Sequence, residues 1–376
     1  MERLILLLTC LFGLSCATAP LKTVDSPIDN HYIVVLKNSG DVDRDRQALS
    51  KIAGVKVNQE YRRVLKGFGV EVTSTSALDE IRENRDVQYV QQDGNVTVFE
   101  KAMTWGLDRI DQRKLPLDGH SHFNGNGSGV NVYIIDTGIY QEHQYFGGRA
   151  RFAYDATNAW GGGAVDCHGH GTHCAGTIGA DYYGIARGAT LYGVKVLSCG
   201  GWGLWSWVIE GIEFVANNHI DPAVVSMSLG GWKNDAVDEA IQSLYAAGVI
   251  VAVAAGNSDY DACYFSPARA QKVVTVGATD HEDKRAWFSN YGTCVDIFAP
   301  GVNTLSTYIG YPTAVATKSG TSMATPHVAG AMALILGNDP TLEPTDVYKK
   351  LKADWTSGVL QDKGPGSPDS MLYVAP

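Results

Sequence analysis

Residues 130–139 read VNVYIIDTGI, an apolar run that ends on a carboxylate and a Thr-Gly turn. Such a run is expected of a strand buried on both faces of a sheet. Similar runs recur at 191–196, 224–227, 249–255 and 273–277, most of them without a polar interruption. Helical patterns lie between them at 204–217 and 236–247. Strand–helix alternation predicts an α/β fold with a doubly covered, mostly parallel sheet. In sheets of this kind chemistry gathers at the carboxyl ends of strands. Asp136 and Asn257 both stand there, each just after an apolar run.

The region before this pattern has another character. Residues 4–14 (LILLLTCLFGL) follow Arg3 and lead to the small residues Ser15, Cys16 and Ala17. The run reads as a secretory signal peptide, because a membrane span needs about 20 apolar residues. Residues 30–100 are rich in charge and hold no cysteine. Strands are expected at 31–37, 67–72, 87–90 and 96–99. Helices are expected at 42–52 and 76–84, the second with Ser76 as N-cap. The order β-α-β-α-β predicts a small α+β, ferredoxin-like domain. The chain thus divides into a signal peptide (1–17), a small domain (18–100) and a large domain (101–376).

The 376 residues are 45% hydrophobic and 19% charged, a globular balance, and the formal charge of −10 is spread along the chain. Without a Lys/Arg cluster no nucleic-acid partner is expected. No later segment is long enough to be a membrane anchor. Export implies an oxidising compartment where disulfides persist. Asn95 and Asn126 open glycosylation sequons.

Two glycine-rich segments carry further chemistry: HGHGTHCAG at 168–176 and GTSMATPHVAG at 320–330. Ser322 precedes a helix of small and apolar residues, with Pro326 tolerable only in the first turn. A plain N-cap would account for a serine there, but Gly320 and Gly330 allow close backbone approach. The helix start also favours an oxyanion beside the serine. Serine is a weak nucleophile without a base. His170, between two glycines, is the candidate base, and His173 reads as a packed structural histidine. A metal site from Asp166, Cys167, His168, His170, His173 and Cys174 is the rival, although H-E-x-x-H is absent. Asp136 could orient the histidine or merely cap its strand through an Asx-turn. Asn257 could supply an oxyanion donor or form an ordinary Gly-Asn turn.

Taken together, these motifs resemble those of the subtilisin-like serine proteases, in the secreted proteinase K branch. The chain order Asp, His, Ser is the subtilisin order. The likeness runs from Trp105 to the C-terminus and includes Ser289-Asn290-Tyr291-Gly292. It implies that Asp136, His170 and Ser322 are catalytic and that Asn257 assists Ser322 at the oxyanion. It implies that Gly201, Ser228, Leu229 and Gly230 hold extended peptide as an added strand. Residues 31–99 look like the family's inhibitory propeptide, with the cut near Glu100–Lys101. Beyond the signal there are five cysteines, an odd number. The resemblance implies the pairs Cys167–Cys199 and Cys263–Cys294, with Cys174 free. It also implies structural Ca²⁺ at Asp296 with the carbonyls of Gln271 and Val273. A second, weaker set is Asp108, Asp111, Gln112 and Asp118, where His120 replaces a ligand of the relatives; a solvated acidic loop is the alternative.

The expectation is a secreted, monomeric, self-processing endopeptidase acting on proteins and peptides. The small residues 254–256 suggest a roomy pocket and cleavage after apolar or aromatic residues. The chief rival is a subtilase-like regulator that cuts itself once and keeps its propeptide. A lipase would want G-x-S-x-G, and a zinc hydrolase would be stopped by chelators.

Overall fold

The computed structural model describes residues 18–23, 27–62, 65–94, 104–157 and 165–376. The leader, the Asn95 sequon, the strand expected at 96–99 and the junction near Glu100–Lys101 lie outside the described residues. The chain forms two compact units, Met1–Val98 and Phe99–Pro376.

In the first unit the strands are β1 (Leu21–Lys22), β2 (Pro27–Leu36), β3 (Val55–Tyr61), β4 (Gly67–Val72) and β5 (Val87–Gly94), with helices α1 (Val42–Leu49) and α2 (Thr75–Glu83). The sheet order is β1-β5-β2-β4-β3. From β2 to β5 the succession is β-α-β-β-α-β, the ferredoxin-like order. Sequence reading missed β3 because VKVNQEY has no fully buried residue and no apolar run. The cap of α2 is Ser74, not Ser76. Ser74 Oγ accepts from the Ala77 N–H at 3.2 Å, while the Ser76 hydroxyl pairs with it at 3.1 Å. Leu49, Leu78 and Ile81 of the helices share one core with Val34, Phe68 and Val90 of the sheet.

The second unit opens with α3 (Trp105–Ile110), followed by β6 (Asn131–Asp136), β7 (Ala150–Asp155), α4 (His170–Gly179), β8 (Thr190–Lys195) and α5 (Trp205–Asn218). Next come β9 (Ala223–Met227), β10 (Gly231–Trp232), α6 (Asp235–Ala246), β11 (Ile250–Ala254), β12 (Phe265–Ser266), β13 (Val274–Thr279) and β14 (Ile297–Pro300). The unit ends with β15 (Thr304–Thr307), β16 (Val315–Lys318), α7 (Thr321–Asn338) and α8 (Pro344–Asp354). Seven strands form one sheet in the order β14-β13-β11-β9-β6-β8-β7, and each neighbouring pair is parallel.

Alternate residues of a strand face opposite sides of the sheet. Val132 and Ile134 enter a core with α4 and α7, whereas Tyr133 and Ile135 enter a second core with α5 and α6. Two buried faces leave no polar position, hence the uninterrupted runs. β7 escaped sequence reading because this edge strand exposes Arg151 and Phe152. α7 is apolar around most of its circumference, as a helix buried inside a large unit must be. The strand order turns at β6, so its carboxyl end opens onto a crevice.

Candidate active site

Asp136 ends β6 and is fully buried. His170 opens α4, and its Nδ1 lies 2.7 and 2.9 Å from the two Asp136 carboxylate oxygens. With a carboxylate as acceptor, Nδ1 carries the proton and donates it. Burial pulls the His170 pKa down, but the Asp136 charge and hydrogen bond outweigh it, so the pKa is raised above the ordinary value.

Asp166 sets the imidazole in place. The N-cap of α4 is Gly169, which has no side chain to cap with. Asp166 substitutes from a distance: Oδ1 accepts from the N–H groups of His168 and Gly169 and from Thr137 Oγ, at 2.9, 2.8 and 2.9 Å. Its Oδ2 accepts from the Thr172 N–H and hydroxyl at 2.9 and 2.6 Å. One carboxylate therefore fixes the first turn of α4 and ties it to the residue after Asp136. Gly171 is required here because a Cβ would meet the Gly138 carbonyl at 2.2 Å.

Ser322 does not precede its helix. It is the second residue of α7, after Gly320 as N-cap, and Pro326 lies four residues on, past the first turn. Proline has no N–H to give the carbonyl four residues back. The Ser322 carbonyl is satisfied instead by Ser228 Oγ at 2.9 Å and Cys174 Sγ at 3.4 Å. The Ser322 Oγ donates to the Ser228 carbonyl at 3.1 Å rather than to His170. Both His170 and Ser322 border one cleft of about 610 Å³.

Asn257 follows β11 as expected. Its Oδ1 accepts from the Thr321 N–H at 2.8 Å and the Thr321 hydroxyl at 2.9 Å, which leaves Nδ2 as the outward donor. A Cβ at Gly320 would sit 3.5 Å from Nδ2 and 3.6 Å from the Ser322 N, so both donors border one small space. The turn holding Asn257 needs Gly256 at φ 103°. Fully buried Asn290 braces that turn, donating to the Ala255 carbonyl at 2.8 Å and accepting from the Ser258 N–H at 2.9 Å.

Gly201, Ser228, Leu229 and Gly230 border the same cleft. Disulfides join Cys167 to Cys199 and Cys263 to Cys294, and Cys174 is free and buried. The first of them ties the segment before α4 to the turn at Gly201. Among the described residues, Asp136, His170 and Cys174 bring potential ligand atoms within 4.8 Å of one another. Burial pushes the Cys174 thiol well up, and its Sγ donates to the Ser322 carbonyl. The rival metal set loses Cys167 to a disulfide and Asp166 to five hydrogen bonds. His173 is buried, with Nε2 3.1 and 3.0 Å from the Thr304 and Ala316 carbonyls, and desolvation lowers its pKa to about 4. It is a neutral packing residue.

For calcium, Asp296 offers a half-buried carboxylate whose pKa desolvation raises; it accepts from the Thr275 N–H at 2.9 Å and the Tyr348 hydroxyl at 3.2 Å. It therefore adjoins the strand entry after Gln271 and Val273. In the other set, Asp108 accepts from the N–H groups of Asp118 and Gly119, and Asp111 from that of His122. Gln112 spans the loop from Lys114 and Pro116 to Asp118. Burial, with the Asp118 and Asp108 charges, holds Asp111 at about 6. Both sets offer hard oxygen donors, the type that Ca²⁺ takes.

Sequence reading gave Asp166 and Ser228 other roles, in the rival metal set and in peptide binding, and assigned none to Asn290 or Thr321, so it missed all four as supports. Their signal was faint, a polar residue within a buried or glycine-rich stretch.

Comparison with known proteins gives the family. Residues 127–366 match the Peptidase S8, or subtilase, family. An extracellular serine proteinase of Thermus sp. (strain Rt41A) is 45% identical over 96% of this chain and 93% of its own. Proteinase R of Parengyodontium album is 41% identical over 82% of this chain and 80% of its own. The crystal structure of a cold-adapted subtilisin-like serine proteinase, 46% identical, superposes with a TM-score of 0.71 over 74% of this chain and all of the other. The chain belongs to the subtilase family and is a subtilisin-like serine endopeptidase.

Proposed function

We propose that this endopeptidase cuts peptide bonds with Asp136, His170 and Ser322 as its triad, and that it is made as a secreted, self-processed precursor. One observation carries the reading: a buried carboxylate grips the far side of an imidazole that borders the same cleft as a serine at a helix start. Rotation of the serine side chain away from the Ser228 carbonyl brings Oγ to His170 Nε2. His170 takes its proton as Oγ bonds to the substrate carbonyl carbon. The negative oxygen that forms is held by Asn257 Nδ2–H and the Ser322 N–H, aided by the positive end of α7. Asp136 stabilises the imidazolium, which then protonates the leaving amine. Water, deprotonated by His170, frees the acid from the acyl-enzyme.

Ala254, Ala255 and Gly256 border the cleft with little bulk, which supports broad cleavage after apolar or aromatic residues. The separate fold of the first unit supports a role for residues 18–100 as inhibitory propeptide, released near Glu100–Lys101. Secretion is supported by the leader and by the extracellular relative. No helix of the described residues is long and apolar enough to cross a membrane. Ca²⁺ would be held by Asp296 with the carbonyls of Gln271 and Val273, and by Asp108, Asp111, Gln112 and Asp118. There it would neutralise the carboxylates and stiffen the loops. The working form is a monomer.

The test is expression of wild type beside Ser322→Ala. Wild type should lose its first unit and degrade casein, while the variant stays full length and inactive. A processed, active Ser322→Ala protein would overturn the proposal.

A further inference from the structure

Lys195 closes β8 beside Asp136, the last residue of β6, and is buried. Its Nζ donates to the Thr137 carbonyl at 2.7 Å and to the Leu197 carbonyl at 2.8 Å, and Cys167 Sγ lies 3.8 Å away. No step of the hydrolysis uses this ammonium. A buried cation is costly unless charge and hydrogen bonds compensate it. Both close oxygen partners here are neutral carbonyls. Burial lowers the Lys195 pKa, and the charges of Asp166, Asp155 and Asp136 oppose that.

The two carbonyls belong to segments that flank the triad carboxylate. Thr137 follows Asp136, and its N–H donates to Asp136 Oδ1 at 2.7 Å. The Thr137 hydroxyl donates to Asp166 Oδ1 and accepts from the Gly171 N–H, both at 2.9 Å. Lys195 holds the remaining polar atom of Thr137, its carbonyl. Leu197 donates its N–H to the Asp136 carbonyl at 3.2 Å and borders the cleft. One ammonium thus joins the Asp136 turn to the start of the segment that leads to Gly201.

We infer that Lys195 is a positioning residue of the triad: it clamps the Asp136 turn and supplies the positive charge that lets two buried carboxylates, Asp136 and Asp166, stand ionised beside a neutral His170. The inference rests on the triad proposed above. Two carboxylates with no cation between them would draw a proton onto the imidazole, and a protonated imidazole cannot serve as the base. The other titratable groups around His170 are half-buried Lys318 of β16 and, on its own segment, His168, His173 and Cys174. They stay in place when Lys195 is replaced, so a shift of the imidazole reports the lost ammonium.

The test compares Lys195→Met, which removes the charge, with Lys195→Arg, which keeps it. Lys195→Met should lower kcat about 30-fold while KM changes less than about threefold, and should move the acid limb of kcat/KM upward by about one pH unit. Lys195→Arg should keep its acid limb within about 0.3 unit of wild type. The same substitutions in full-length Ser322→Ala protein, which needs no maturation, let NMR of isotope-labelled histidine follow the His170 titration directly. The same upward shift is expected there for Lys195→Met, and this midpoint decides the matter if Lys195→Met does not mature. A midpoint unmoved or lowered in Lys195→Met would overturn the role, as would a Lys195→Arg limb that moves equally far. A raised KM with kcat intact would also overturn it, since that marks only a loosened cleft edge. A wild type that cuts no peptide would instead overturn the triad reading, and the positioning role with it.

Discussion

His170 faces two opposed influences, burial and the Asp136 carboxylate, and the carboxylate wins. A base must be unprotonated to take the serine proton, so a raised pKa moves the acid limb of the rate profile upward. The kcat/KM of the mature enzyme should fall as pH drops through a midpoint above the ordinary histidine value of about 6.5. Asp136→Asn should lower turnover about 10⁴-fold and move the residual acid limb down. A pH profile of both proteins checks this. A wild-type midpoint below 6 would show that desolvation governs this imidazole. His173, a short step along the same helix, is lowered to about 4 by burial and stays outside the chemistry at neutral pH.

Two helix starts carry the site, and each solves a local problem with a residue from elsewhere. α4 begins on glycine and histidine and takes its cap from Asp166. α7 carries Pro326, and the Ser322 carbonyl left without a helical partner is met by Ser228 and Cys174. Removing a buried acceptor strands its donors, at about 1–3 kcal/mol for each unsatisfied group. Asp166→Ala should therefore destabilise the second unit by at least about 3 kcal/mol. It should also lower kcat more than it raises KM, because His170 loses its fixed turn. Denaturant unfolding and steady-state kinetics check this. A loss of stability with unaltered kcat would leave Asp166 a cap and nothing more.

For the molecule as a whole, the sheet brings parts of the chain far apart in sequence to one edge. β6 ends in Asp136 and Asn257 lies three residues past β11, while His170 opens α4 and Ser322 is the second residue of α7. Calcium belongs to this scale, since Asp296 leads into β14 while accepting from Thr275 of β13 and Tyr348 of α8. A ligand bound only by the native state stabilises it, by about 2.7 kcal/mol at 100 times Kd. Chelation should lower the melting temperature of the mature enzyme, and Asp296→Ala should lower it in advance and blunt the effect of chelator. Identical melting curves with calcium and with chelator would remove the ion from the account.

Much of this was legible along the chain, for a physical reason. A strand covered on both faces has no polar position, so β6, β8, β9, β11 and β13 announced themselves, whereas half-exposed β3 and edge strand β7 did not. Reactive side chains set among apolar and glycine residues marked Asp136, His170, Ser322 and Asn257 as candidates. Local sequence cannot state which distant donors a buried polar atom will meet. The five hydrogen bonds on Asp166, the Ser228 and Cys174 contacts that replace the one Pro326 cannot make, the Asn290 brace and the Lys195 clamp on Thr137 arise only when separate segments meet. Periodicity along a chain records burial, but hydrogen-bond partnership across a fold is decided by packing.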